Sequence, residues 1–285
     1  RGTSDMKGFL AVCLAKLPEI DVKKLKRPLQ FAMSFDEETG CTGVLHMIAG
    51  IKDKVAPGTI VIVGEPTGMK VVSGHKGGTH FRTEVRGFET HSSLTHQGVS
   101  AIHYGARLMT KLDDIARELA NNPDKESGYE PAYSTISIGL ANGGTAGNII
   151  ARQFVFQWEI RWMDANDVTV VEKRFAEYCN ELQEEMQTKN AETWIKTEHI
   201  GTVPMFQKDL DGAAEHFIRG LNGSNDVHVV SYQTEAGHFQ NADMSVVICG
   251  PGHIDQAHKP EEFIAVQQLE VCEDLISRII GECSR

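Results

Sequence analysis

Met6, Phe9, Leu10, Cys13, Leu14 and Leu17 recur at intervals of three and four, which predicts one helical stripe over residues 4–17 with Ser4 as its N-cap. Leu29 to Phe35 alternates apolar and polar positions and reads as a strand, and Thr59 to Val63 as a short buried strand. Thr42 to Ala49, between them, suggests a helix. A strand–helix–strand rhythm implies a parallel sheet covered by helices.

The rhythm changes near Gly74. Thr79 to Arg86 alternates like a strand, Val99 to Ala120 is a long amphipathic helix, and Ser134 to Leu140 and Phe154 to Trp162 read as two further strands. A second long helix over Val168 to Gln187 and a strand over Thr193 to Glu198 complete the order β-α-β-β-α-β, that of a ferredoxin-like sandwich. Asn121 to Pro131 is a polar loop within it. After Gly201 the first pattern resumes: a helix over about Leu210 to Leu221, strands over Val227 to Tyr232 and Ser245 to Cys249, and a closing helix from Glu261 to about Ile280, with Pro260 suited to its first turn. The expected architecture is therefore an α/β domain with a parallel sheet, residues 1–74 and 201–285, into which residues 75–200 are inserted as a ferredoxin-like domain.

Charge and cysteine usage narrow the function classes. With 28 Lys and Arg against 39 Asp and Glu, the net charge is −11, and no basic run is present, which argues against a nucleic-acid partner. Six cysteines without CxxC spacing suit a reduced cytoplasmic protein with buried thiols. No apolar stretch approaches the roughly 20 residues that span a bilayer, so no membrane partner is expected.

Candidate chemistry sits where apolar runs end. Asp5 precedes the first helix, Asp36-Glu37-Glu38 follows the strand predicted at 29–35, Glu65 follows 59–63, and His258 lies on the loop after 245–249. In open α/β sheets, ligands bind beyond the carboxyl ends of strands, so these groups would gather at one edge. Carboxylates and imidazole converging on one point suit a hydrolytic metal centre. Singly, each has a plainer reading: a cap for Asp5, a solvated loop for Glu37 and Glu38, a turn for Glu65, a solvent-facing cap for His258. Adjacent Glu37 and Glu38 on an extended segment would point opposite ways, one toward metal and one toward its bound water. Such a water has a pKa near ~7, within reach of a carboxylate base.

Gly2-Thr3-Ser4-Asp5-Met6-Lys7-Gly8, Asp36-Glu37-Glu38-Thr39-Gly40, Gly64-Glu65-Pro66-Thr67, Gly74-His75-Lys76-Gly77-Gly78 and Gln256-Ala257-His258 stand in the order found in the dizinc aminoacylase, acetylornithine deacetylase and succinyl-diaminopimelate desuccinylase metallopeptidase family, which this chain resembles. The resemblance implies a zinc-hydrolase domain with an inserted lid or dimerisation domain, two zinc ions per complete chain with cobalt as a possible substitute, and a homodimer formed through the insert. It makes Asp5 a bridging ligand, gives Glu38 and His258 to one zinc and Glu65 to the other, and makes Glu37 the base. It also implies a His-x-Asp motif upstream of Asp5, so that the sequence from Arg1 is a piece of a longer protein.

Residues for substrate choice follow from the same resemblance. His91 would help polarise the scissile carbonyl in the partner's site; its plainer reading is a loop histidine. Asn148, in the glycine-rich turn Gly143 to Asn148, would contact substrate, and Arg161 would bind a carboxylate with its planar fork, although it could equally form a salt bridge on a strand face. Thr234-Glu235-Ala236 and Gly250-Pro251-Gly252-His253 look like stretches of the deacetylase subgroup: Glu235 would meet a cationic side chain, and backbone amides around Gly252 would cradle a carboxylate. The implied reaction is hydrolysis of N2-acetyl-L-ornithine to L-ornithine and acetate, in arginine biosynthesis. Alternatives are another N-acyl amino acid amidohydrolase, such as the desuccinylase, a dipeptidase, and an inactive metal-binding or dimerisation fragment.

Overall fold

The computed structural model describes residues 1–209 and 212–285. In chain order its principal elements are α1 (Gly8–Lys16), α2 (Gly43–Ile51), β1 (Ile60–Val63), β2 (Val72–His75), β3 (Gly77–Arg86), α3 (Ala101–Ala120), β4 (Thr135–Gly143), β5 (Gln153–Trp162), α4 (Ala165–Lys189), β6 (Trp194–Val203), α5 (Ala213–Asn222), β7 (His228–Val230), α6 (Ala236–Gln240), β8 (Ser245–Ile248) and α7 (Val266–Cys283). They fall into two compact units, Arg1–His75 with Phe206–Arg285, and Lys76–Met205. The fold is α/β, with one mixed and one antiparallel sheet.

The first unit holds a four-stranded sheet in the order β1-β8-β2-β7. β1 and β8 run parallel in register from Ile60 with Ser245 to Val63 with Ile248, and β2 runs parallel to β7. β2 meets β8 antiparallel, so the sheet is mixed where the sequence predicts a parallel one. β2 escapes the sequence reading because Val72-Ser73-Gly74-His75 has neither alternation nor an apolar run, yet all four residues are buried. The core joins Val12 and Cys13 of α1 to Val247 and Cys249, Ile218 of α5, and Cys272, Leu275, Ile276 and Ile279 of α7. The six cysteines are buried free thiols, and burial pushes Cys13 up to about 11 and Cys249 and Cys272 up to about 12, so they act as apolar packing groups.

Four expected elements differ from the sequence reading in their bounds or their form. Regular helix starts at Gly8, not Ser4, because Asp5 and Met6 adopt non-helical angles and the amides of Gly2, Ser4 and Asp5 bind the Glu262 carboxylate. The buried face of α1 carries Gly8, Val12, Cys13 and Lys16, whereas Leu14 and Leu17 are exposed. Residues 29–35 alternate as predicted but form no strand, since no strand pairs with them among the described residues. The closing helix starts at Val266: residues 261–265 are not helical, and Pro260 lies outside the helix. The helix expected from Leu210 is seen from Ala213; Leu210 and Asp211 lie outside the described residues.

The second unit is an antiparallel sheet in the order β4-β5-β3-β6, with α3 and α4 supplying the crossovers of a ferredoxin-like sandwich. Ser100 caps α3 by accepting a hydrogen bond from the His103 amide, and Asp164 caps α4 by accepting one from that of Asn166. Val171, Phe175, Cys179, Leu182 and Met186 form the buried stripe of α4. They pack with Leu108, Leu112 and Ile115 of α3 on Phe81, Phe156 and Trp158 of the sheet. The Trp158 indole N–H donates to the Thr83 hydroxyl at 3.0 Å, so this ring is buried without an orphan donor.

Candidate metal centre

Two adjacent parallel strands deliver part of the site. Glu65 lies two residues beyond β1, and the segment from Gly250 to His258 follows β8. These two strand ends approach closely because Gly250 has no side chain: a Cβ there would stand 2.2 Å from the Gly64 carbonyl oxygen and 2.6 Å from that of Glu65. Gly252, at φ 88°, plays the same part against Ser4, whose hydroxyl oxygen would lie 2.3 Å from an added Cβ. Its amide donates to the Gln268 side chain at 3.2 Å, so that N–H is engaged within the fold.

His258 Nε2 stands 3.0 Å from Asp5 Oδ2 and 2.9 Å from Glu38 Oε2. The three candidate donor atoms lie within 4.8 Å of one another. Asp5 is largely enclosed, while His258 and Glu38 keep about half of their side-chain surface open. Glu65, 5 % exposed, pairs carboxyl to carboxyl with Asp5. Burial, then the charges of Glu37, Asp5 and Glu235, push Glu65 well above the usual carboxylate range. Burial and Glu38 likewise raise Asp5, against the lowering effect of His258.

Glu37 and Glu38 are divided by a turn rather than by an extended strand. Glu37–Thr39 is a single 3-10 turn entered through Asp36 at φ 59° and left through Gly40 at φ 119°. The turn sends Glu38 toward His258 and leaves Glu37 half-buried. Burial first, then the charges of Asp5, Glu235 and Glu38, raise Glu37 to about 7. The Cys41 thiol, 3.6 Å from Glu37 Oε1, donates to it and works the other way. Glu235, at the start of α6, accepts a hydrogen bond from the Ser34 hydroxyl on Oε2 at 2.7 Å. Its Oε1 and the side-chain nitrogens Nε2 of Gln233 and His238 are buried without a hydrogen-bond partner. Burial raises Glu235 as well.

The donor set fits a divalent cation. Hard oxygens and one imidazole converge, and Asp5, Glu37 and Glu65 are each raised first by burial and then by neighbouring carboxylates, Glu38 for Asp5, Asp5 for Glu37 and Glu37 for Glu65. A metal ion held by Asp5, Glu38 and His258, with Glu65 beside Asp5, would relieve that repulsion.

The other predicted residues belong to the second unit. His91 is exposed, its Nδ1 2.7 Å from the Ser93 hydroxyl, and the neighbouring Ser92 amide donates to the Asn148 carbonyl at 2.9 Å. His91 and Asn148 thus share one loop cluster. Arg161 donates to Glu159 at 2.9 and 3.4 Å, the strand-face pair. Sequence reasoning passed over Ser34, Cys41 and Glu262. Cys41 directly follows the Asp36 to Gly40 motif, and Glu262 lies four residues beyond His258 within the stretch predicted as the closing helix.

The profile of the peptidase family M20/M25/M40 matches residues 1–282. An acetylornithine deacetylase of Yersinia pseudotuberculosis serotype O:1b (strain IP 31758) is 31% identical over 286 residues, covering 98% of this chain and 69% of the relative. One from Myxococcus xanthus is 29% identical over 284 residues, covering 99% and 71%. Among solved structures, a tripeptidase from Staphylococcus aureus subsp. aureus mu50 superposes with a TM-score of 0.76 at 21% identity, covering 100% of this chain and 72% of that one. The di-peptidase Dug1p of Saccharomyces cerevisiae gives 0.70 at 16%, with the same coverages. At these identities the structures speak for the fold alone. The chain is a hydrolase belonging to peptidase family M20/M25/M40.

Proposed function

We propose that this chain hydrolyses N2-acetyl-L-ornithine to L-ornithine and acetate. The observation that carries the reading is the convergence of Asp5, Glu38 and His258 beside a half-buried, proton-competent Glu37. Asp5, Glu38, Glu65 and His258 would hold the metal, with zinc the favoured ion. When bound, a divalent metal supplies Lewis acidity toward an acyl oxygen and toward water. Glu37 accepts a proton on its carboxylate from the attacking water and returns it to the departing amine nitrogen. A group that titrates near neutrality suits both halves of that transfer. Ser34 fixes one oxygen of Glu235 and leaves Oε1 for the side-chain ammonium of the substrate. The deacetylase names of the relatives support the acetyl group and the ornithine side chain. A homodimer assembled through residues 76–205 and a place in arginine biosynthesis belong to the same reading.

The test is a substrate panel with zinc or cobalt present: N2-acetyl-L-ornithine, N2-acetyl-L-norvaline, an N-succinyl diamino acid and a dipeptide. Acetylornithine should be turned over with the highest kcat/KM. Glu235→Gln should lower that value by roughly 10–100-fold, the cost of a lost charge-assisted hydrogen bond, and leave acetylnorvaline unchanged. Faster release from the succinyl compound or the dipeptide would replace the substrate, and equal losses on both acetyl compounds would remove Glu235 from side-chain recognition.

A further inference from the structure

The proposed chemistry leaves the carboxylate of Glu262 without a task, although its side chain is only 1 % exposed. Its Oε1 accepts the amides of Ser4 at 2.8 Å and Asp5 at 3.1 Å, and its Oε2 accepts that of Gly2 at 2.9 Å. Arg1 adds a looser ion pair at 3.5 Å. Burial works to raise this carboxyl, yet the three backbone donors outweigh it and hold the group at about 2, so it is a full anion at neutral pH.

The connection is between two candidate ligands from opposite ends of the sequence. Asp5 sits in non-helical geometry just before α1, at φ −120° and ψ 91°. His258 sits in the left-handed region at φ 56°, four residues before Glu262 on the same loop. Without Glu262, the amides of residues 2–5 would have water or helical geometry as alternatives, and Asp5 would be free to swing away. With it, the loop that carries His258 also grips the backbone that carries Asp5, and the 3.0 Å approach of the two side chains is built into one clasp.

We propose that Glu262 is the positioning residue of the metal centre, fixing the Asp5 backbone relative to His258 and thereby setting metal affinity. The proposal rests on the metal reading of the site. Outer partners of metal ligands typically change affinity by about 10–100-fold when lost. Glu262→Gln preserves shape but turns one acceptor into a donor facing backbone N–H groups; Glu262→Ala removes the clasp.

The experiment measures zinc affinity of the full chain by competition with a chromophoric chelator, with cobalt(II) absorption as a second readout and circular dichroism to establish folding. Wild type should bind zinc, and folded Glu262→Gln should bind it at least about 10-fold more weakly, with a changed cobalt spectrum. If Glu262→Ala fails to fold, the Gln variant decides. Unchanged affinity and spectrum in a folded Gln variant, even with a lowered melting temperature, would overturn the positioning role and leave the metal site standing. Failure of wild type to bind zinc or cobalt would overturn the site and the clasp together.

Discussion

The two units treat the same side chain in opposite ways. In the second, acids sit beside cations: Glu185 accepts two hydrogen bonds from Arg107 at 2.9 and 2.8 Å, and Glu118 two from Arg174 at 2.7 and 2.9 Å. Those guanidinium contacts lower both carboxyls, and Lys196 lowers Glu198 in the same way. In the first unit Asp5, Glu37, Glu65 and Glu235 are raised, chiefly by burial. Paired surface acids cost little and contribute little. Acids held together against their own repulsion are costly, and such groups cluster where chemistry is done. Glu262 shows that the first unit can satisfy an acid when its role is architectural.

The largest expected effect comes from the unsatisfied side of this comparison. Glu37→Ala should lower kcat by about 10²–10⁴ while zinc content, read by elemental analysis, stays unchanged. Loss of zinc along with turnover would move Glu37 from base to ligand. Next, Phe156→Ala opens a cavity in the core of the second unit, where this ring is fully buried. A destabilisation of about 3–5 kcal/mol is expected, seen as lost hydrogen-exchange protection in residues 76–205, with zinc affinity unaltered. A parallel fall in zinc affinity would show that the division of labour is not clean.

The smallest of the three effects is a pH dependence. Glu37 has an ordinary value of 4.5 and is raised to about 7 in the folded chain. The folded state therefore holds its proton more tightly than the unfolded state. Stability from this source is fully present below 4.5 and is lost as pH rises through 7, by at most about 3 kcal/mol. Glu65 acts in the same direction. In metal-free protein, amide protection in the first unit should fall between pH 5 and pH 8 after correction for intrinsic exchange, while the second unit holds steady, and zinc should restore the loss. Equal pH sensitivity in both units would break the comparison.

The second unit was also the more legible in sequence. The stripe from Val171 to Met186 and the alternation of β3 and β5 reflect elements with one buried face, and such elements write their period into the chain. The first unit hides more. β2 is buried on all sides and carries no alternation. Residues 29–35 alternate without a strand partner among the described residues, because a ladder needs a neighbour that local pattern does not report. The candidate ligands were visible as residue types at the ends of apolar runs, and Asp5, Glu38 and His258 do meet, although the run before Glu38 forms no strand. The reason they meet was hidden. Glu37 and Glu38 are parted by a 3-10 turn through left-handed Asp36, and Asp5 is held by a carboxylate 257 positions away. Contacts at that separation leave no local period.

Unit one is split along the polypeptide, and this orders its assembly during synthesis. β1 pairs with β8, and Asp5 meets His258, only after all of Lys76–Met205 has been made. At about 5–20 residues per second, the early segment waits on the order of ten seconds on the ribosome. The intervening unit is contiguous and can collapse during that interval. The Asp5, Glu38 and His258 donor set is therefore complete only once His258 has been made, and a nascent chain halted before residue 258 carries acids without their imidazole partner.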